Sequence, residues 1–180
     1  RLGRGFYRYA LIASLGSFRA GFAAESAMLR RAGHPLRRHP YLLYGAVAIA
    51  LLLVVWGGLG RAGLLIYLAL CLHAQMQIYM SDYVQHYGLR RGRDGQGRLE
   101  PVGPRHAWNS PHWYSSALMV NAPRHSDHHV TPSRPFPALR LEEEMPMLPY
   151  PVPVMGVLAL WPPLWRRVMD GRARRWAGET

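Results

Sequence analysis

Apolar and polar positions are sharply segregated along this chain. From Tyr41 to Gly60 the sequence YLLYGAVAIALLLVVWGGLG carries no charge, and after Arg61 a second run, AGLLIYLALCLHAQMQIYM, reaches Met80 without one. Each run is about as long as a helix that crosses a bilayer, roughly 20 residues. A pair of buried core helices in a soluble protein is the alternative, but two adjacent uncharged runs of this length favour the membrane. Residues 1–32 read as a helix with Phe18, Phe22, Glu25 and Leu29 at helical spacing, stopped by the breaker Gly33–Pro35. Arg37, Arg38 and His39 then form a polar collar ahead of the first run. Residues 88–110 are rich in glycine, proline and charge and read as a loop. Residues 111–131 suit helix after Pro111, with an interruption at Asn121–Pro123. The last apolar run, Tyr150–Trp165, carries Pro151, Pro153, Pro162 and Pro163 and suits a re-entrant or interfacial segment better than a full crossing. The pattern predicts an all-α membrane protein: a helical hairpin with cytosolic-face helices that bear histidines. One domain, residues 1–180, is expected, divided into a cytosolic-side helix and collar (1–40), the hairpin (41–80), the histidine-bearing region (81–145) and an interfacial segment with a basic tail (146–180).

The formal charge is +12, and all 22 basic residues are arginine. Such an excess suits a nucleic-acid binder, but its placement argues otherwise. Arg30, Arg31, Arg37 and Arg38 precede the first apolar run, and Arg90, Arg91, Arg93 and Arg98 follow the second. The positive-inside bias therefore puts both ends of the hairpin in the cytoplasm, with Arg61 in the short external turn. Arg166, Arg167, Arg172, Arg174 and Arg175 place the C-terminal tail on the same side or in the interface. The single cysteine, Cys71, lies in the second apolar run and implies no redox role. The chain starts at Arg1 with no signal peptide, as a fragment of a longer protein would.

Nine histidines fall in these 180 residues. In RHSDHHV, His125, His128 and His129 stand at i, i+3 and i+4, which on a helix gathers three imidazoles on one face. Neutral imidazole is a common ligand of zinc, iron and copper; a solvated histidine cluster is the alternative. Asp127 points elsewhere and is a candidate to receive the ring N–H of a histidine from another segment. His86 is the fourth candidate, roughly 36 Å along a helix that starts at Ala62, just beyond the hydrocarbon layer. Asp82, Tyr79 and Gln75 fall near the same helix face. Asp82, one turn back, is placed to orient His86. Gln75 and Tyr79 suit either a substrate channel or hydrogen bonds within a helix bundle. Mid-membrane His73 suits a functional site or a bond to a neighbouring helix. His34 and His39 read as interfacial, and spacing does not settle the roles of His106 and His112.

Together, DYVQHYGL (82–89), WNS (108–110), NAPRHSDHH (121–129) and PPLWRRVMD (162–170) resemble the C-terminal portion of the membrane-bound alkane monooxygenases, relatives of the fatty-acid desaturase superfamily. The likeness runs from Gly16 onward. It implies that His86, His125, His128 and His129 are iron ligands, with Asp82, Gln85, Asp127 and Asn109 as supporting neighbours. The family's HELxHK and EHxxGHH segments, which carry the remaining ligands, are absent here, so a fragment alone is expected to be inactive and to bind iron weakly. The family's Asn-Tyr-x-Glu-His stands here as Asp82, Tyr83, Val84, Gln85 and His86, and its Leu-Gln before Arg-His as Ala122 and Pro123. A carboxylate has thus moved from one residue before the histidine to four before it.

The activity implied is terminal hydroxylation of a medium- or long-chain n-alkane to a 1-alkanol, with dioxygen, at a site of two non-haem iron ions. An unactivated methyl gives acid–base catalysis no handle, so oxidising metal chemistry is needed. The resemblance also implies rubredoxin and its NAD(P)H-dependent reductase as electron donors, membrane lipid and alkane as further partners, and no nucleic acid. It places the protein in the bacterial inner membrane, multi-pass, with the site facing the cytoplasm. The basic stretch Arg90–Arg105 serves either docking of the acidic carrier or topology alone. The alternatives are a fatty acyl desaturase or hydroxylase, a xylene-type hydroxylase of the same superfamily and, in another class, a non-catalytic membrane protein.

Overall fold

The first helix, α1, runs from Phe6 to Arg31, and its end is set by Gly33. At φ 64° this glycine takes the left-handed conformation, so that its own N–H reaches the Arg30 carbonyl and the His34 N–H that of Leu29. This paired closure satisfies carbonyls that the helix would otherwise leave open. A short 3-10 turn, Leu36–Arg38, leads to α2, Pro40–His86, with proline at its first position. The computed structural model describes residues 2–177, and among them every regular segment is helical.

The chain divides into two compact units: residues 10–78, and residues 1–9 with 79–180. In the first unit, His39 is buried, stacked on Phe22 at 4.4 Å and 3.0 Å from the Ser26 hydroxyl through Nε2. It therefore ties α1 to the start of α2. Both apolar runs lie within α2, which reads as one helix except at Gly60, where φ 62° and ψ −165° leave the helical region. The expected turn around Arg61 is thus reduced to a single glycine, and Arg61 is itself helical. Only glycine takes these angles without strain. Helix α2 is long and apolar enough to cross a membrane, with a mean hydropathy of 2.3 over its most apolar window and none of that window buried. Its uncovered leucines and valines have little to pack against in water, and lipid would remove that cost. Neither the polar pair of His73 and Gln77, 3.3 Å apart at i and i+4, nor Gln75 interrupts this character.

The second unit is built on an aromatic core. Tyr83 sits between Phe6, Tyr9, Tyr87 and Trp165, with ring centroids 5.1 to 5.7 Å away. The expected break at Asn121–Pro123 separates two short helices, α3 (Trp113–Leu118) and α4 (His125–Val130), and Val120 and Asn121 both have positive φ. The proline-rich run forms α5 (Val152–Ala159) and the start of α6 (Pro162–Ala177). Trp165, Met169 and Ala173, each four residues apart, bury one stripe of α6. The arginines of α6 lie off that stripe, as the amphipathic reading requires.

Candidate metal centre

Helix α2 ends in this unit, and its last turn presents His86. That turn is anchored by buried Gln85, whose Oε1 accepts from the Ser81 hydroxyl at 2.8 Å and whose Nε2 donates to the Ala122 carbonyl at 3.2 Å. Gln85 therefore joins the end of α2 to the strap that enters α4, and its side chain faces away from the histidines. The Gln85 carbonyl in turn accepts the Trp108 N–H at 2.7 Å, while the Trp108 indole donates to the Tyr87 carbonyl at 2.8 Å. Next along the chain, fully buried Asn109 acts as a hub. Its Oδ1 accepts the Ser126 N–H at 2.9 Å and its Nδ2 donates to Ser126 Oγ at 2.7 Å and to the carbonyls of Ala107 and Pro146. A helix leaves its first N–H groups unpaired; Asn109 caps one of α4's from outside and so sets where the histidine helix begins.

Asp127 does different work from that expected. Nearly all of it is buried, and its carboxylate accepts two bonds from the Arg134 guanidinium, at 2.5 and 2.6 Å, and one from the Arg140 N–H at 2.8 Å. These donors engage both of its oxygens, and Asp127 thereby clamps the loop that follows α4. Burial acts to raise its pKa, but the Arg140 amide and the Arg134 guanidinium together overcome this and hold it below the usual carboxylate range.

The histidines converge across 43 positions of sequence. His86 Nε2 lies 3.3 Å from His129 Nε2, which lies 2.9 Å from His125 Nε2. Ligand nitrogens of all three fall within 4.8 Å of one another. Imidazole nitrogens bind a metal such as zinc at about 2.1 Å, so two ligands of one ion stand roughly 3.0–3.4 Å apart. The His86–His129 and His129–His125 spacings fit. His128 stands off, its ring centroid 6.2 Å from that of His125 and 5.8 Å from that of His129, so the predicted trio contributes two rings to this group. An i, i+3, i+4 spacing puts residues on one broad face, and His86 arrives at the edge shared by positions 125 and 129.

The electrostatics favour a metal ligand set. Burial, with the neighbouring imidazoles of His86, His129 and His128, lowers the His125 pKa to about 3. Burial followed by His86 and His128 also lowers that of His129. Both rings are thus held neutral at pH 7, with lone pairs available, which metal binding requires. His86 Nδ1 is 2.9 Å from Asp82 Oδ1 and 3.0 Å from the Asp82 carbonyl, so the predicted carboxylate does lie against its histidine.

A cavity of about 240 Å³ opens beside the group, lined by His86, His129, His106, Leu89, Arg90, Arg91 and Val102. His106 belongs to this wall, which spacing alone left open. Its Nδ1 accepts the Gly103 N–H and its Nε2 faces Glu100 Oε1, both at 2.8 Å. The Gly92 amide, with His106, lowers the Glu100 pKa. Tyr79 is half-buried and Gln75 exposed, and neither lines the cavity. His112 is half-buried and its carbonyl accepts from Ser115 and Ser116 at the start of α3. Tyr9, whose hydroxyl donates to Asp82 Oδ2, was not anticipated from the sequence; the pair is 73 residues apart, and no local pattern joins them.

Comparison with known proteins places the sequence in a wider group. Over 182 residues, 99% of this chain and 48% of the relative, the chain is 33% identical to alkane 1-monooxygenase 1 of Pseudomonas aeruginosa. It is 35% identical, over the same shares, to alkane 1-monooxygenase 2 of that organism. The xylene/toluene monooxygenase hydroxylase component of Pseudomonas putida is 32% identical over 91% of this chain and 43% of its own length. The chain thus spans about half the length of the curated relatives it matches. The family model described as fatty acid desaturase matches residues 1–158, a stretch that takes in the end of α2, the Asn109 hub and α4; the chain belongs to the fatty acid desaturase family.

Proposed function

We propose that the protein containing this chain hydroxylates the terminal methyl of medium- or long-chain n-alkanes, converting alkane, dioxygen, two electrons and two protons to 1-alkanol and water. The observation that carries this reading is the convergence of His86, His125 and His129 through their Nε2 atoms, at distances suited to one metal ion. Non-haem iron at these nitrogens would supply the oxidising power that an unactivated C–H bond demands. His128, outside the group of three, is assigned to the second iron, alongside ligands from beyond these residues. The names of the relatives support an alkane substrate. Rubredoxin, reduced by an NAD(P)H-dependent reductase, is the electron donor in this reading, and an electropositive cytosolic loop suits an acidic carrier.

The chain's own residues perform the positioning. Asn109 fixes the first turn of α4, Gln85 holds the segment entering α4 to the end of α2, and Asp82 orients His86. The two apolar halves of α2, on either side of Gly60, are proposed to cross the bacterial inner membrane twice. His86 then lies at its cytosolic boundary, where an apolar substrate arrives from lipid and electrons from water.

The test is turnover by the full-length protein in membranes, with rubredoxin and reductase, in the presence of ¹⁸O₂. Labelled 1-alkanol is expected from wild type, and none from His129→Ala with membrane insertion unchanged. His128→Ala is expected to lower the iron content by about half. Labelled benzylic alcohol from xylene without any alkanol would shift the reading to the aromatic relative. Full turnover by His129→Ala would remove the histidine group from the site.

A further inference from the structure

The residue directly before His86, Gln85, is turned into the protein and its amide is engaged by Ser81 and Ala122. A carboxylate stands on Asp82, one helical turn before His86. Its two oxygens are divided: Oδ1 lies 2.9 Å from His86 Nδ1, and Oδ2 accepts the hydroxyl of Tyr9 in α1. The Asp82 carbonyl, 3.0 Å from the same Nδ1, is a second acceptor there. Neither acceptor carries a proton to give, so both require His86 to hold its proton on Nδ1. Nε2 is then left as a lone pair facing His129, 3.3 Å away.

Tyr9 is well held for this purpose. Its ring packs on Tyr83 at 5.3 Å, and Tyr83 is buried and donates its own hydroxyl to the Arg4 carbonyl at 2.7 Å. Asp82 itself is half exposed, at 51%, and a carboxylate so placed would turn freely about its terminal bond without a partner.

We infer that Tyr9 is a positioning residue that locks the plane of the Asp82 carboxylate, and through it fixes the Nδ1–H tautomer and orientation of His86. In this chain the carboxylate that orients His86 stands one helical turn before it and is held from α1 by Tyr9. The inference rests on the proposed metal-binding role of His86, but the relay itself exists without metal. Partners of this kind change metal affinity by about 10- to 100-fold when removed.

Two measurements on the full-length protein stripped of metal, in detergent micelles, test it, with cobalt(II) as the added probe. Long-range ¹H–¹⁵N spectra are expected to show His86 protonated at Nδ1 and bare at Nε2, and Tyr9→Phe to move the Nδ1 resonance. Cobalt affinity, read from visible absorption, should fall about 10-fold or more in Asp82→Ala and by a smaller factor in Tyr9→Phe. Tyr7→Phe, a hydroxyl loss on the same helix that leaves Asp82 untouched, should match wild type. In the Asp82→Ala background, Tyr9→Phe should add nothing, because the two act in series. A Tyr9→Phe effect that persists undiminished in that background, or wild-type affinity and an unmoved resonance in Tyr9→Phe alone, would overturn the relay. Unchanged cobalt affinity in His86→Ala would instead overturn the metal role of His86, an outcome the spectra separate from failure of the relay.

Discussion

His125 and His129 bind a proton less readily in the fold than in an unfolded chain, since burial and neighbouring imidazoles disfavour the imidazolium. The unfolded state therefore takes up more protons as the pH falls, and stability rises with pH across that interval. For His125 the interval runs from the ordinary histidine value of 6.5 down to about 3. The metal-free chain should melt at its highest temperature above about pH 6.5 and lose stability progressively toward pH 3, as thermal denaturation monitored by circular dichroism will show. His125→Gln should flatten the upper part of that profile. Asp127 adds a second loss at more acid pH: its folded pKa is depressed, so its contribution is present above the unfolded carboxylate value and disappears as the pH falls below it. A profile independent of pH between 7 and 4 would mean that the rings are not desolvated as described.

Among the helices, α6 packs closely against the residues that follow α2. Gly88 follows His86 by two residues at φ 76°, and a Cβ there would come 2.5 Å from the Ala173 Cβ of α6. Backbone strain and collision act together, since an L-residue in this conformation costs about 1–2 kcal/mol and a small overpacking about 1–3 kcal/mol. Gly88→Ala should therefore destabilise the chain by roughly 2–5 kcal/mol, measured as a lowered midpoint of denaturant unfolding. Ala173→Gly is expected to recover part of that loss in the double variant, because it removes the colliding methyl but not the strain. Gly60 is a separate case: nothing lies within 4 Å of its would-be Cβ, so only the strain applies there.

For the molecule as a whole, the proposed function makes the histidine group a partial site. Three gathered imidazoles leave an iron ion with coordination positions unfilled, and the curated relatives extend over about twice this length. Purified as these 180 residues and exposed anaerobically to ferrous iron, the chain should retain well under one iron per molecule after desalting. Metal analysis of the same preparation beside the full-length protein measures the difference. Stoichiometric retention of two irons by the short chain would show that its own residues complete the centre.

Much of this was legible along the chain because it depends on local spacing. The apolar runs, the breaker at Gly33, the interruption before His125 and the i, i+4 relation of Asp82 to His86 are set by the period of a helix and the conformational range of glycine and proline. The candidate ligands were legible for the same reason. What spacing could not supply was the partner of each side chain across long separations. Asp127 has the same local setting whether it meets a histidine or Arg134, and it was the course of the loop through Arg140 that decided. Asn109 could be noted but not seen as the cap of α4, and Tyr9 could not be noted at all. Nor does an HxxHH face disclose which two rings a distant histidine will meet; the approach of α2 selected His125 and His129 over His128. The helical period is a property of neighbours in sequence, whereas hydrogen-bond pairing between segments is fixed only when burial brings them together and leaves each polar group one place to turn.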